Sequence, residues 1–596
     1  MTGYAVVLDR RGVPVGHDEL RRLAEPLRLR GPHGESVLTD GAIGAVSTLL
    51  DVGDPRLAPA WASAGPLRVI GQIRIDARDA LVAELAAHDG APEDEASDVQ
   101  LFARAWHRWG PRALEHILGE FSAVVYDRGS GAATLVRDPF GVRMLFYRVD
   151  AQRVTASNTL ESVLAGGASR KLDDHAIADF IADGANEDPS ATSYRDVRRV
   201  PSGHWLRLHP GGREELVRYW TVPTPEIDRT RDAVAIVSEF RSLLEDSVRD
   251  RLRSPRVTVF MSGGLDSTTL AAIAARALSD PSDVIARTVH LPTLAPSDEV
   301  ARATLTASSL GVRHVLSDVD AYGYREGTAH SLPRTPEPYD DPDLLALHDE
   351  LRAASVHAPI AFWGEDPDAY LAPPHLGDLL RGTSAPRLAL DLASYAWSEG
   401  ERPYLALRDL VRKQMRGNAV EQGGGAALLR DDLRRRRAER VAARTDPPHP
   451  TRSEAARRLD PWHWQPFLES LDAGFHGIPI DVRLPFLDLR LVRFALAAPP
   501  IPWMQRKHLL REAARGLIPE PVRTARKRGH TGLLRARLQQ WWSRDPAPLV
   551  PSPLLLRYVD PANIPTVTPA SSVDETFVHL RLRILDRWLR EHASVD

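Results

Sequence analysis

The sequence contains no cysteine. That absence excludes disulfides, thiolate metal sites and every cysteine nucleophile. Lysine is nearly absent too: Lys171, Lys413, Lys507 and Lys527 stand against 72 arginines, so each lysine asks for an explanation. No stretch approaches the roughly 18 consecutive apolar residues of a membrane span. The apolar run Tyr4 to Leu8 is too short for a secretory signal. With 76 basic against 80 acidic side chains the net charge is -4, a balance that advertises neither nucleic acid nor membrane as a partner. At 596 residues, 43% hydrophobic and 26% charged, the chain reads as a cytoplasmic globular protein of several domains.

Residues 1–216 read as short strands punctuated by turns, among them Gly71 to Ile75, Phe121 to Tyr126, Ala133 to Val136 and Leu145 to Val149. One amphipathic helix interrupts them, with Leu101, Phe102, Ala105, Trp106 and Trp109 recurring every three or four residues. This half is expected to be an α+β domain. Residues 217–232, with Pro223 and Pro225 among polar neighbours, read as a linker. From 233 to 596, long helical segments such as Val234 to Leu252 alternate with short apolar strands such as Val257 to Met261 and Pro359 to Trp363. That alternation predicts a parallel α/β sheet. Arg416 to Arg444 and the proline-rich Asp545 to Pro569 read as poorly ordered, and the run Arg434 to Arg437 as a solvated helix face.

The segment Ser262-Gly263-Gly264-Leu265-Asp266-Ser267 follows one of these strands and opens a helix. Its composition suits an anion: two glycines let the backbone approach closely, two serine hydroxyls donate, and a helix N-terminus supplies unpaired N–H groups. Asp266 would repel a bare phosphate. It makes sense if it holds a divalent cation that bridges to phosphates.

These six residues resemble the pyrophosphate-binding loop of the ATP pyrophosphatases, and the chain as a whole is similar to the asparagine synthetase family. The resemblance implies cleavage of ATP between the α- and β-phosphates, adenylation of a carboxylate, and a need for ATP and Mg2+. It implies an ATP and pyrophosphate site made of Phe260, Ser262, Gly263, Gly264, Asp266, Ser267, Val289, Gly364 and Lys527, with Val289 against the adenine. Ser297-Asp298-Glu299 opens a helix beyond the second strand of that fold. Gly364-Glu365-Asp366-Pro367-Asp368 resembles the family's Gly-Glu-Gly-Ala-Asp-Glu loop. By that likeness Asp368 is the second magnesium ligand beside Asp266, and Glu365 is the acid/base next to the reacting carboxylate. Asp366-Pro367 replaces small residues of the loop, and Ala369 replaces its final Glu. Asp481-Val482-Arg483-Leu484-Pro485-Phe486-Leu487-Asp488 resembles the family's Arg-x-Pro-Phe-Leu-Asp segment. Lys507-His508-Leu509-Leu510-Arg511 and Arg526-Lys527-Arg528-Gly529 resemble its two C-terminal basic motifs. Lys527 corresponds to the lysine that steadies transition-state charge, and Lys507 stays open between such a role and a helix surface.

The first half resembles the family's glutaminase domain, in Gly71-Gln72-Ile73, Asp76 to Asp79, Gly119-Glu120-Phe121 and Val136-Arg137-Asp138-Pro139-Phe140-Gly141. The implied fold is therefore a glutaminase-like sandwich of the N-terminal nucleophile hydrolase type, followed by a parallel-sheet ATP-pyrophosphatase domain. Yet such a glutaminase attacks with a cysteine next to the initiator methionine, and Thr2 stands there. The first half is expected to be a scaffold, and the amine must arrive on the substrate. Among family branches the chain looks most like a lasso-peptide cyclase, which joins a peptide's N-terminal amine to an Asp or Glu side chain. A precursor core peptide would be its substrate, with a leader-peptide protease and a leader-binding protein as pathway partners. The alternatives are another amide-forming or β-lactam-forming synthetase, or a nucleotide-binding protein without catalysis.

Overall fold

The computed structural model describes residues 2–90, 96–292, 298–319, 334–341, 343–364, 367–405, 424–443, 449–526, 536, 538, 548–568 and 570–592. The first half supplies strands β1 (Thr2–Asp9), β2 (Glu35–Asp40), β3 (Ile43–Leu49), β4 (Trp61–Ala64), β5 (Leu67–Asp76) and β6 (Leu118–Asp127). It continues with β7 (Ala133–Arg137), β8 (Phe146–Val149), β9 (Arg153–Ser157), β10 (Arg198–Arg199), β11 (His204–Leu208) and β12 (Glu214–Arg218). Two six-stranded sheets result, ordered β10-β8-β9-β1-β3-β2 and β12-β11-β7-β6-β5-β4. Every pairing in both is antiparallel.

The run of apolar residues in β1 has a simple cause: both of its faces are covered. Tyr4, Val6 and Leu8 point into the layer between the sheets with Ile70, Val124 and Leu135. Ala5 and Val7 alternate to the other side, against Leu20, Leu23 and Leu27 of α1 (His17–Arg28). The second sheet is covered on its outer face by α2 (Arg78–Asp89) and α3 (Asp98–Trp109), which bury Leu81, Leu85, Leu101, Phe102 and Trp106 against Val69, Ile73 and Phe121. Ser97 and Gln100 close the α3 N-terminus with a capping box. The outcome is a four-layer sandwich. Burying side chains of this size contributes about 1.5–3 kcal/mol each.

The second half is built on β13 (Val257–Phe260), β14 (Val284–His290), β15 (Arg313–Asp318), β16 (Ile360–Trp363) and β17 (Asp481–Arg483). They form one parallel sheet ordered β15-β14-β13-β16-β17. β13 is central: the chain winds outward on one side through β14 and β15, then returns to build the other. The carboxyl end of β13 is thus a topological switch point, where parallel sheets open a crevice. α4 (Leu160–Ala165) and α5 (Asp174–Asp183) of the first half share one apolar core with α6 (Ala233–Leu252) and α7 (Leu265–Ala277) of the second. Among the described residues no helix is long and apolar enough to cross a membrane.

Charge also crosses the boundary between the halves. The β5–β6 register sets Arg74 opposite Glu120, and Arg74 lies 2.7 Å from Glu120 and 3.0 Å from Asp76. Arg143 bridges Glu120 and Asp481, each at 2.9 Å. Arg251 reaches Asp76 at 3.1 Å, Glu120 at 3.5 Å and Asp488 at 2.9 Å, and Arg483 pairs with Asp481 at 2.7 Å. All eight side chains are no more than 4% exposed. Burial alone would raise the carboxyls of Asp76 and Asp481, but the surrounding guanidinium groups outweigh it and hold both below the ordinary range. Four charges of each sign leave the cluster neutral, which a dry interior requires.

Three expectations are corrected here. Arg437 is not on a solvated face: it is buried and pairs with Asp179 at 3.3 Å and Glu187 at 3.0 Å, tying the helix Asp431–Ala443 to α5 and the turn after it. The expected disorder of Arg416 to Arg444 fails over 424–443, which carries that helix, while 416–423 and 444 lie outside the described residues. Nor is Asp545 to Pro569 irregular throughout. Leu555, Tyr558 and Val559 are buried around the short turn Leu555–Arg557 because apolar side chains outweigh the prolines beside them.

Replacing Arg251 with alanine takes one guanidinium from three buried carboxylates, and the expected loss is about 3–5 kcal/mol. Arg249→Ala, which breaks a water-exposed pair with Asp246, should cost under about 1 kcal/mol; chemical denaturation of both variants measures the contrast. A second outcome concerns His348, which is 3% exposed and whose imidazole burial pushes down to about 3. The unfolded imidazole takes a proton near pH 6.5, so this residue should cost the fold on the order of 2 kcal/mol between pH 7 and pH 5. His348→Leu should remove that increment of acid sensitivity. Denaturation midpoints of both proteins at the two pH values give the comparison.

Candidate active site

The loop Ser262 to Ser267 leaves the carboxyl end of β13 at the switch point and runs into α7. Its two serines shape it: the backbone N–H of Ser262 donates to Ser267 Oγ at 3.0 Å, and Gly264 N–H donates to Ser262 Oγ at 3.3 Å. Gly263 is obligatory on two counts. Its φ is +76°, and a Cβ there would lie 2.1 Å from the carbonyl oxygen of Glu299, at the start of α8 (Glu299–Leu310). Arg302 of that helix donates to the Gly263 carbonyl at 3.2 Å. Gly264 occupies the N-cap of α7 and provides no side-chain cap, so the helix presents its first-turn N–H groups to the crevice. Across the loop Gly364 ends β16, and a Cβ on it would come within 2.9 Å of Ser267.

Three charged side chains from distant parts of the chain meet here. Asp266 stands in the first turn of α7 and Asp368 in the first turn of the helix Pro367–Leu371. Lys507 precedes the helix His508–Ala513; its Nζ donates to Asp266 Oδ2 at 2.6 Å and lies 3.0 Å from Asp368 Oδ1. Lys507 therefore sits in the site, 12% exposed, rather than on a helix surface. Both carboxylates converge on one cation, which is what a divalent metal shared between them requires. The ammonium is a stand-in for it. Among the described residues no third acidic or imidazole group joins them, so water and phosphate oxygens would complete a magnesium shell.

The turn that aims Lys507 is strained. Arg506 and Lys507 have φ of +51° and +54°, a conformation that costs about 1–3 kcal/mol per non-glycine residue. Its neighbours hold it in place. The Gln505 side chain accepts from Tyr404 N–H at 2.9 Å and donates to its carbonyl at 3.2 Å. Glu401 accepts from Arg506 at 2.6 Å and from Arg526 at 2.6 Å. Arg511 donates to the carbonyls of Arg506 at 3.0 Å and Ala525 at 2.9 Å. Glu401, Tyr404 and Gln505 belong to no motif legible in the sequence.

Of the other expected site residues, Phe260 packs on Trp363 with ring centroids 5.0 Å apart, at the ends of the adjacent strands β13 and β16. Val289, near the end of β14, is 44% exposed, as a contact for a flat ring would need. Asp298 caps α8. Glu365, Lys527 and Ser297 lie outside the described residues. The segment Asp481 to Asp488 is placed in the buried charge cluster between the halves.

In the first half Thr2 is buried and stands at one end of a hydrogen-bonded chain that reaches the second half. Asn158 Nδ2 donates to the Thr2 carbonyl at 2.8 Å and to Gln72 Oε1 at 2.9 Å. Gln72 Oε1 also accepts from Arg30, which is fully buried and donates to Asp472 of the second half at 2.7 Å. The cavity left alongside, lined by Phe146, Thr159, Glu469 and Phe475, has about 20 Å3, room for one water.

Residues 1–220 match the glutamine amidotransferase domain model, and residues 239–551, more than half of the chain, match asparagine synthase. A Mycobacterium tuberculosis protein that carries the name of a glutamine-hydrolysing asparagine synthetase is 26% identical over 84% of this chain and 82% of its own. The amidase chyE of Penicillium rubens is 28% identical over 46% of this chain and 43% of its own. Among solved structures, a Bacillus subtilis glutamine phosphoribosylpyrophosphate amidotransferase aligns with TM-score 0.28 and 13% identity, over 53% of this chain and 65% of that one. With a phosphate-type loop, an aspartate pair and a lysine gathered at the switch point of a parallel sheet, and a family model covering most of that half, the chain belongs to the asparagine synthase family of ATP-dependent amide-forming ligases.

Proposed function

We propose that the chain is an ATP-dependent macrolactam synthetase: it adenylates an Asp or Glu side chain of a precursor core peptide and joins it to the peptide's N-terminal amine, releasing AMP and pyrophosphate. The observation that carries this reading is the contrast between the two halves. The synthetase half keeps its loop, its aspartates and its lysines, whereas the half that would make ammonia has no cysteine and buries the Thr2 that stands in its place. The amine then has to come with the substrate.

The first-turn N–H groups of α7 and the serines of the loop bind the phosphates of ATP. Asp266 and Asp368 would hold magnesium, which would supply positive charge against the phosphates. The peptide carboxylate oxygen attacks the α-phosphorus; the bond to the bridging oxygen breaks and pyrophosphate leaves. Lys507 and Lys527 balance the charge that grows on the leaving oxygens. The amine nitrogen then attacks the acyl carbon, its proton passing to Glu365 or to water, and AMP departs. Ordering a precursor of about 15 residues costs on the order of 15–30 kcal/mol in backbone entropy, which an enclosing cleft between the halves has to offset. A leader-binding protein and a leader protease would deliver the peptide. Asp or Glu specificity belongs to residues beyond the loop.

Purified protein with Mg-ATP and a processed core peptide should give AMP, pyrophosphate and a product lighter by one water; ADP, or an uncyclised amide, would sink the reading. Asp266→Ala should abolish turnover. Thr2→Ala should leave the rate unchanged, and neither protein should release glutamate from glutamine. Ammonium with free aspartate, offered in place of the peptide, should yield no asparagine.

A further inference from the structure

We infer that Lys507 is the resident cation of the Asp266 and Asp368 pair, and that its ammonium keeps divalent metal out of the site until nucleotide phosphates draw it away. The inference rests on the proposed assignment of these aspartates to metal. Three observations carry it. The ammonium lies within 3.0 Å of a carboxylate oxygen on each aspartate, the place a shared metal would take. A divalent ion entering beside it would meet a full positive charge at close range in a partly closed crevice. And a hard cation takes about six oxygen ligands, of which Asp266 and Asp368 supply a part, so phosphate oxygens would add to its hold.

Phosphates change that balance. They provide the missing oxygen ligands and, with their own negative charge, a second partner for the ammonium. Metal and nucleotide should therefore bind as a coupled pair, with Lys507 moving from carboxylates to phosphates as they arrive. A compact ammonium on a flexible stem can make this exchange. Glu401 acts as a positioning residue. It touches neither the aspartates nor the phosphates, but its bond to Arg506 holds the left-handed turn from which Lys507 reaches the pair.

The test is binding of Mn2+ by the full chain, followed by loss of the free-ion electron paramagnetic resonance signal, with and without an ATP analogue carrying a methylene between the α- and β-phosphorus. The wild-type chain should bind Mn2+ at least tenfold more weakly without the analogue than with it. Lys507→Met should bind Mn2+ without nucleotide at least tenfold more tightly than wild type. Lys507→Arg, which keeps the charge, should stay close to wild type. Glu401→Gln, which leaves both aspartates and the lysine in place, should shift nucleotide-free binding in the same direction as Lys507→Met by a smaller factor. Equal nucleotide-free affinity in wild type and in both Lys507→Met and Glu401→Gln would overturn the inference while leaving the metal site standing. Failure of the wild type to take up Mn2+ even with the analogue would overturn the metal assignment itself, and the inference with it.

Discussion

The relation between the two halves depends on eight buried charges. Arg74, Asp76, Glu120 and Arg143 belong to the sandwich; Arg251, Asp481, Arg483 and Asp488 belong to the sheet domain. Each set carries two charges of each sign, yet its ion pairs run across the boundary as well: Arg143 reaches Asp481, and Arg251 reaches Asp76 and Glu120. The cluster is satisfied only when the halves are docked in one register. Asp481 and Arg483 are also the ends of β17, which pairs with β16 and so with β13. Position in the charge cluster is thus handed on to the loop at the switch point.

This requirement accounts for the arginine content. A guanidinium offers five donors in a rigid fork and can serve two or three carboxylates at once, as Arg251 does, where an ammonium acts as a point charge. Arg30, Arg199 and Arg437 repeat the device at other points of the boundary, each buried and each facing a carboxylate on the opposite side. In the first of these the arginine also donates to Gln72, so the ion pair to the second half is continuous with the hydrogen bonds that reach Thr2.

The sequence disclosed this protein unevenly. The order of strands and helices was legible because the core is simple: α3 shows its apolar stripe, and β1 reads as an unbroken apolar run because both faces are covered. The loop from Ser262 to Ser267 was legible because its chemistry is local. What stayed hidden was every contact between charged residues far apart in the chain. Arg434 to Arg437 looks like a solvated face in sequence, since nothing near it reveals that Asp179 and Glu187 wait some 250 residues earlier. Asp481 to Asp488 is legible only as a family segment, and its place in the interface is not written in it. Glu401 carries no signal at all, because its task is to hold a backbone turn, and Lys507 was recognisable only as a member of a motif.

Against so much arginine, the placement of Lys507 is a choice of shape. A planar fork between Asp266 and Asp368 would engage both carboxylates along its edges, in a geometry no spherical ion could inherit. An ammonium meets both at a single point. The site that forms around it has the dimensions of a cation, set in advance by a side chain that can leave. The rest of the molecule uses arginine to make contacts that do not come apart; at the place where something must be exchanged, it uses lysine.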